Sequence, residues 1–548
     1  MKNKRSPLTA FIVICLVTFI IFQACKKTET TEDIVLVEYD TASNRPAYLK
    51  FPTPLSPDTP WDVDRKLQAE LTAKGKFAQV QRLFEILSWQ WFVALNWPVD
   101  EKGEPMPGIA DEGVPTWFGW KESYEVFLPD GQKPAPWGVF TPPEHFADSA
   151  NHKGEKILFR TNKLADFGHP DIEDEFKQAF TSPIWDQNGN ITRYEVRMNE
   201  VEFDYVVKNE LYNYDGQIVF SKENGNVEFP EGNRKDEGAI EIKVAWKVLE
   251  ENDIKSRYFT TYGYVVNEDN TYTRKEVGMV GMHISSKTES SPQWIWTTFE
   301  HVDNLEVNLL DEVDGKPLRP SYNDPDCEIC PINVLPDTIV SESNPVVKNQ
   351  IQRIIPISGA TKELNASVQA MLKNAGSKLQ YYQQVGTQWP TAPKVPPYTL
   401  KDTTVYTLPQ AVTNKSGGNP TPVYLTNMIM ETYFQGATIN DASKVTQKYI
   451  DVNGKVVHED TLQGYNIMLA NEPAYFQMNN FPMDVDKKNT FKQIFGTESC
   501  IACHFSSSIA TGYKEQNGVK TPVFGLPTSA DFSWLLNQKA HFKTTSKK

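Results

Sequence analysis

Cys500, Cys503 and His504 stand in the order Cys-Ile-Ala-Cys-His. At this spacing two thiols can add to the vinyl groups of one haem while the adjacent imidazole ligates its iron. Ser499 is suited to cap a helix N-terminus. Helical spacing i, i+3, i+4 then carries Cys500, Cys503 and His504 on one side, beneath a single porphyrin. The competing reading is a redox or structural Cys-x-x-Cys pair that happens to precede a histidine. With six cysteines and eight histidines in 548 residues, chance adjacency explains the run poorly. One covalently bound haem c is therefore expected, in a compartment where such haem is attached.

The N-terminus points to that compartment. Lys2, Lys4 and Arg5 precede an apolar run from Leu8 to Phe22, then Ala24 and Cys25. A membrane-spanning helix needs about 20 apolar residues, so the shorter run reads as a secretory signal over 1–24. Phe22-Gln23-Ala24-Cys25 is similar to a lipoprotein signal-peptidase site, with Phe22 where leucine is usual, and makes Cys25 the expected lipidation site. An uncleaved signal anchor is the alternative. Either way the bulk of the chain is extracytoplasmic. Lys26-Lys27 after the cysteine, in place of an acidic residue, favours the outer membrane, on its periplasmic or its cell-surface face.

Cysteine arithmetic is consistent with this. Cys15 leaves with the signal, Cys25 takes lipid, and Cys500 and Cys503 take haem. The remaining Cys327 and Cys330 are a disulfide candidate in a loop. A zinc half-site would need two further ligands, and a thioredoxin-like role a strand-to-helix setting. The net charge of −15, with three basic and no acidic residues in 1–24, argues against nucleic acid and against a peripheral patch for anionic lipid. It suits a basic redox partner protein, with membrane attachment supplied by the lipid at Cys25.

These groups need a scaffold. A hydrophobic content of 39% with 13 Trp, 22 Tyr and 29 Phe supports a sizeable core, divided over two domains that can interweave. Residues 25–60, rich in Thr, Asp, Glu and Pro, read as a tether. Phe77, Val80, Phe84, Leu87, Trp91 and Leu95 repeat at helical spacing until Pro98, predicting a buried helix over 76–97. Period-two alternation follows at Val201, Phe203, Tyr205 and Val207, at Ile240 to Val248, at 258–266 and at 277–284, predicting antiparallel strands. The fold class expected is α+β. It comprises a helix plus an antiparallel, sandwich-like β-rich domain over 61–320, a loop with the Cys-x-x-Cys pair over 321–345, and a mainly helical haem region over 346–548. Within the last, Leu364, Val368, Met371, Leu372, Ala375 and Leu379 mark an amphipathic helix.

Only 44 residues follow His504, without a methionine, so earlier parts of the chain must complete the haem pocket. For the sixth iron position the candidates are Met478 or Met483 upstream, His541 downstream, a histidine from the sheet region, or an open or water-bound site. Glu300-His301-Val302-Asp303, at the end of an aromatic strand, could supply acid/base groups beside a haem. The alternative is a histidine and carboxylates that tie a strand end to a loop. His283, on the preceding strand, could pair with His301 at a metal, without an evident third ligand.

Four blocks, 296–304 (Trp-Thr-Thr-Phe-Glu-His-Val-Asp-Asn), 380–390, 426–435 and the haem motif at 499–504, together with 530–536, make the chain from about 80 to 540 resemble a group of large monohaem "cytochrome c family" proteins. These are secreted or lipid-anchored proteins of diderm bacteria. The resemblance implies haem binding and electron transfer, and its site residues carry over only at Cys500, Cys503 and His504. The function expected is that of a lipid-anchored, extracytoplasmic c-type cytochrome. The alternatives are a haem oxidoreductase with an open iron site, peroxidase-like or reducing a small oxidant, and a surface ligand-binding protein with an accessory haem.

Overall fold

The computed structural model describes residues 31–37, 45–141, 156–158, 184–266, 271–327, 350–353, 357–390, 425–432, 444–450, 456–463, 500, 504, 507–525 and 528–544. Cys25, Cys330, Cys503, Met478, Met483 and the signal over 1–24 lie outside them. The fold is α+β, built on one eight-stranded sheet. Its strands are β1 (Lys121–Glu122), β2 (Lys156–Leu158), β3 (Arg193–Met198), β4 (Ile240–Val248), β5 (Thr260–Val266), β6 (Tyr272–Thr288), β7 (Ser291–His301) and β8 (Tyr382–Gln388). The main order is β8-β7-β6-β4-β3-β1, all antiparallel; β5 pairs with the first part of β6, and β2 runs parallel to β5.

Successive side chains of a strand face opposite sides of a sheet. Ile242, Val244, Met282, Ile284, Ile295 and Phe299 share a core with a helix, α2 (Phe77–Leu95), which follows the short α1 (Arg65–Ala73). Helix α2 is buried on nearly every side, Gln81, Arg82 and Glu85 included, because it is covered twice, by the sheet and by α5 (Gly359–Asn374). Phe92 stacks on Phe299 at 4.2 Å between ring centres, and Trp89 Nε1 donates to Asn365 Oδ1 at 2.9 Å. Each such fully buried large apolar side chain contributes about 1.5–3 kcal/mol. The helix expected over 76–97 is thus present.

The opposite face of the sheet is covered by α3 (Glu200–Lys208), α4 (Tyr214–Glu223) and C-terminal segments. Phe203, Val206, Tyr214 and Ile218 meet Trp294 and Trp296 of β7, and Ile509, Phe532, Leu535 and Leu536, in a second core. The architecture is therefore helix, sheet and mixed layer in place of a sandwich of two sheets. Alternation shows that both faces of a strand differ but not what covers the polar-looking one.

Three other expectations change. The alternation over 201–207 belongs to α3, a helix capped by Asn199, whose side chain accepts from Glu202 N, with Glu200 and Glu202 in the first turn and Lys208 in the last. Buried Phe203 and Val206 keep the helical i, i+3 interval that the odd-numbered pattern concealed. The tether expected over 25–60 is packed or paired in both halves. Leu49 and Phe51 lie in the α2 core, Pro60 O accepts from Trp91 Nε1 at 3.1 Å, and Thr31–Val37 pairs in parallel with Lys444–Ile450. The region 346–548, expected to be mainly helical, contributes α5 but also β8, the edge of the main sheet, and hairpins Lys444–Ile450 with Val456–Gln463 and Ala510–Gln516 with Val519–Phe524. The domains drawn along the sequence are interleaved in space.

Candidate functional site

Cys500 and His504 are each in α-helical conformation. Cys500 is half-buried against the second core. The His504 ring packs on Trp296 of β7, with ring centres 4.3 Å apart. Its Nδ1 donates to the carbonyl oxygen of Phe532 at 2.8 Å. A carbonyl can only accept, so this bond places the imidazole proton on Nδ1 and the lone pair on Nε2. Among the described residues Nε2 has no hydrogen-bond partner. Burial pushes the imidazole down to about 4, which keeps it neutral at pH 7.

The acceptor is held by a strained turn. Asp531 and Phe532 have φ of 53° and 70°, left-handed values uncommon for residues other than glycine and costly for a bulky one. The buried Asp531 carboxylate keeps them there: it accepts from Phe229 N at 2.8 Å and pairs with Lys287 Nζ at 2.5 Å. The block 530–536, conspicuous in the sequence only by resemblance, thus supplies the carbonyl that orients His504.

Around Trp296 the same sheet face presents further polar groups. Lys243 of β4 is opposite His283 of β6, which is opposite Thr298 of β7. His283 Nε2 is 2.7 Å from Glu431 Oε1, and the other carboxylate oxygen accepts from Asn427 N at 2.8 Å. Burial alone would raise the Glu431 carboxyl, but His283 and, more weakly, Lys243 more than offset this and hold it below its ordinary value. Both His283 and Glu431 are near enough to His504 for their charges to act on its titration. The Lys243 ammonium lies over the Tyr194 ring at 5.1 Å.

The acid/base candidates of the sequence have other places. Glu300 points to the His504 side of the sheet, where it pairs with Arg353 Nη2 at 2.5 Å and accepts from Met428 N at 2.6 Å. His301 points to the α2 side, 1% exposed. Its Nε2 is 3.0 Å from Arg257 O, its Nδ1 accepts from Asp303 N at 3.1 Å, and its ring stacks on Tyr258 at 4.2 Å. Asp303 is bound by the Arg257 guanidinium through both oxygens. His301 and Asp303 do meet, with Nδ1 3.9 Å from Oδ2, but Glu300 lies on the other face; the His301–Asp303–Arg257 group locks a strand end to its neighbours. Asp303 does border a cavity of about 260 Å³ with Lys247, Asp253, Tyr258 and Ser321. The charges there are already paired, Lys247 with Asp186 at 3.4 Å and with Asp253.

His283 and His301 stand on opposite faces, so they cannot share a metal. No cluster of three or more His, Cys, Asp or Glu side chains that could hold a metal ion occurs among the described residues. His541 is buried, and its carbonyl accepts from Tyr214 N at 3.0 Å. Cys327 is disulfide-bonded. No described helix is long and apolar enough to cross a membrane. The group that sequence reasoning passed over is the His283–Glu431 pair. Strand parity could have put His283 opposite to His301, but nothing local to Glu431 announces where its loop lies. No protein-family profile, curated protein or solved structure matches the chain.

Proposed function

We propose that this chain is a c-type cytochrome that carries single electrons outside the cytoplasm. Cys500 and Cys503 would hold one haem covalently and His504 would ligate its iron; the haem supplies reversible one-electron chemistry. The observation that carries this reading is the bond from His504 Nδ1 to Phe532 O. Metal-ligating histidines generally donate their second ring N–H to such an acceptor, which fixes ring orientation and makes the other nitrogen more basic. A half-buried, neutral imidazole with its Nε2 lone pair available meets the requirement for iron, and Cys500, four residues before it, meets that for thioether attachment.

The remaining residues have supporting tasks. Trp296 and the second core limit water around the imidazole, and the Asp531–Lys287 pair holds the carbonyl that orients it. Attachment to the outer membrane through lipid at Cys25 and exchange with a basic redox partner complete the proposal, on the strength of the N-terminal sequence and of the acidic charge.

The test is expression with a c-type haem-attachment system. Haem that survives denaturation on a gel, with a reversible one-electron redox titration, is the expected result. Loss of that haem in Cys500→Ser/Cys503→Ser completes it. A wild-type chain that matures without bound haem would sink the proposal. Radiolabelled lipid incorporation, lost in Cys25→Ala, checks the anchor separately.

A further inference from the structure

We propose that His283 is the second axial ligand of the iron held by His504, oriented by Glu431. This rests on the haem reading above and extends it to a residue that no local motif marks. Three observations carry it. First, the register Thr298↔His283 and Trp296↔Ser285 makes His283 a diagonal neighbour of Trp296, the residue on which the His504 ring packs. Side chains at such diagonal positions on one sheet face lie within reach of a common large group. Second, each imidazole is tied at one nitrogen, His504 to Phe532 O at 2.8 Å and His283 to Glu431 Oε1 at 2.7 Å. The nitrogen left without a hydrogen-bond partner among the described residues is Nε2 in His504 and Nδ1 in His283. Third, Glu431 is itself fixed, by the N–H of Asn427 at 2.8 Å, and Asn427 Nδ2 is bound to Thr298 Oγ1 at 2.7 Å. The segment 425–432 is thus anchored to the strand beside His283, which gives a carboxylate–histidine unit of the kind that orients metal ligands.

The consequence is a closed, six-coordinate iron with two imidazoles, suited to electron transfer and inert to small ligands. A carboxylate acceptor behind one imidazole raises its basicity and stabilises the oxidised iron.

The experiment uses the full chain matured with haem. Covalent haem is measured first by the pyridine haemochrome, since its absence defeats the haem reading and the inference together. On haem-loaded protein the ferric optical and electron paramagnetic resonance spectra are expected to be low-spin, without the far-red band of methionine ligation, and the ferrous form should not bind carbon monoxide. His283→Gly should become high-spin and bind carbon monoxide, and free imidazole should restore the low-spin spectrum. Glu431→Gln should stay low-spin with a reduction potential shifted upward. A His283→Gly protein that keeps haem, stays low-spin and ignores carbon monoxide would overturn the assignment in favour of Met478, Met483 or His541 while leaving the haem reading intact. A methionine band, or a high-spin wild type, would overturn it too. His301→Gln should leave all these spectra unchanged.

Discussion

Between pH 6.5 and about 4, unfolded chains protonate His504 whereas the folded chain keeps it neutral, because burial lowers its imidazole to about 4 from 6.5. The unfolded state binds more protons in that window, so stability rises with pH there. The contribution is whole above pH 6.5 and is lost as pH falls toward 4. In a haemless Cys500→Ser/Cys503→Ser chain, urea unfolding should show the stability difference between His504 and His504→Asn changing across this window. A difference that stays constant with pH would contradict it. Asp531 supports the same histidine from the turn side. Asp531→Ala should cost about 3–5 kcal/mol by leaving Lys287 buried without its partner, measured by the same unfolding assay. Added Lys287→Met should recover part of that loss. Of these residues, His504 was legible in the sequence because its chemistry is written locally, in five consecutive positions. Asp531, Lys287 and Glu431 were not, because each acts on a partner far along the chain, and His283 was legible only as one histidine of the sheet region, without its partner.

At the scale of elements, legibility followed the strength of the periodic signal. Helix α2 and strand β4 were evident, since each repeats one period over many residues and is buried on the matching face. Helix α3 read as a strand because four apolar residues at odd positions masked the helical interval; the cap that decides it is Asn199. That side chain accepts from Glu202 N and from Ile240 N and donates to Gly238 O, joining the start of α3 to the start of β4. Asn199→Ala should therefore cost about 2–4 kcal/mol, a cap contribution plus buried groups left unpaired, by thermal or urea unfolding. A cost under about 0.5 kcal/mol, as for a surface position, would show that the junction is not held this way. The Glu300–His301–Asp303 corner teaches the converse. The pleat sends the neighbours Glu300 and His301 to opposite faces, Asp303 follows in the turn beside His301, and each meets a partner that neutralises or satisfies it.

For the whole molecule, the sheet is the frame that joins distant sequence. Strand β8 and helix α5 from beyond residue 350 close the core begun by α2, while 425–432 and the C-terminal segments cover the other face. A chain starting at residue 45 gives up the Thr31–Val37 strand pairing but should keep the folding transition of the main core. One starting at residue 61 should lose about 3–6 kcal/mol, since Leu49 and Phe51 leave the core at about 1.5–3 kcal/mol each. Equal midpoints for the two would show that the segment is a tether after all. The Cys-Ile-Ala-Cys-His motif, the α+β class, the net acidic charge and the main periodic elements could be read along the chain, because these depend on composition or on neighbours in sequence. That Phe532 orients His504, that His283 stands diagonal to Trp296 and binds Glu431, and that His301 faces away emerge only from the fold. Strand order and register bring those residues together, and register depends on the summed burial of whole strands, which no single stretch of sequence carries.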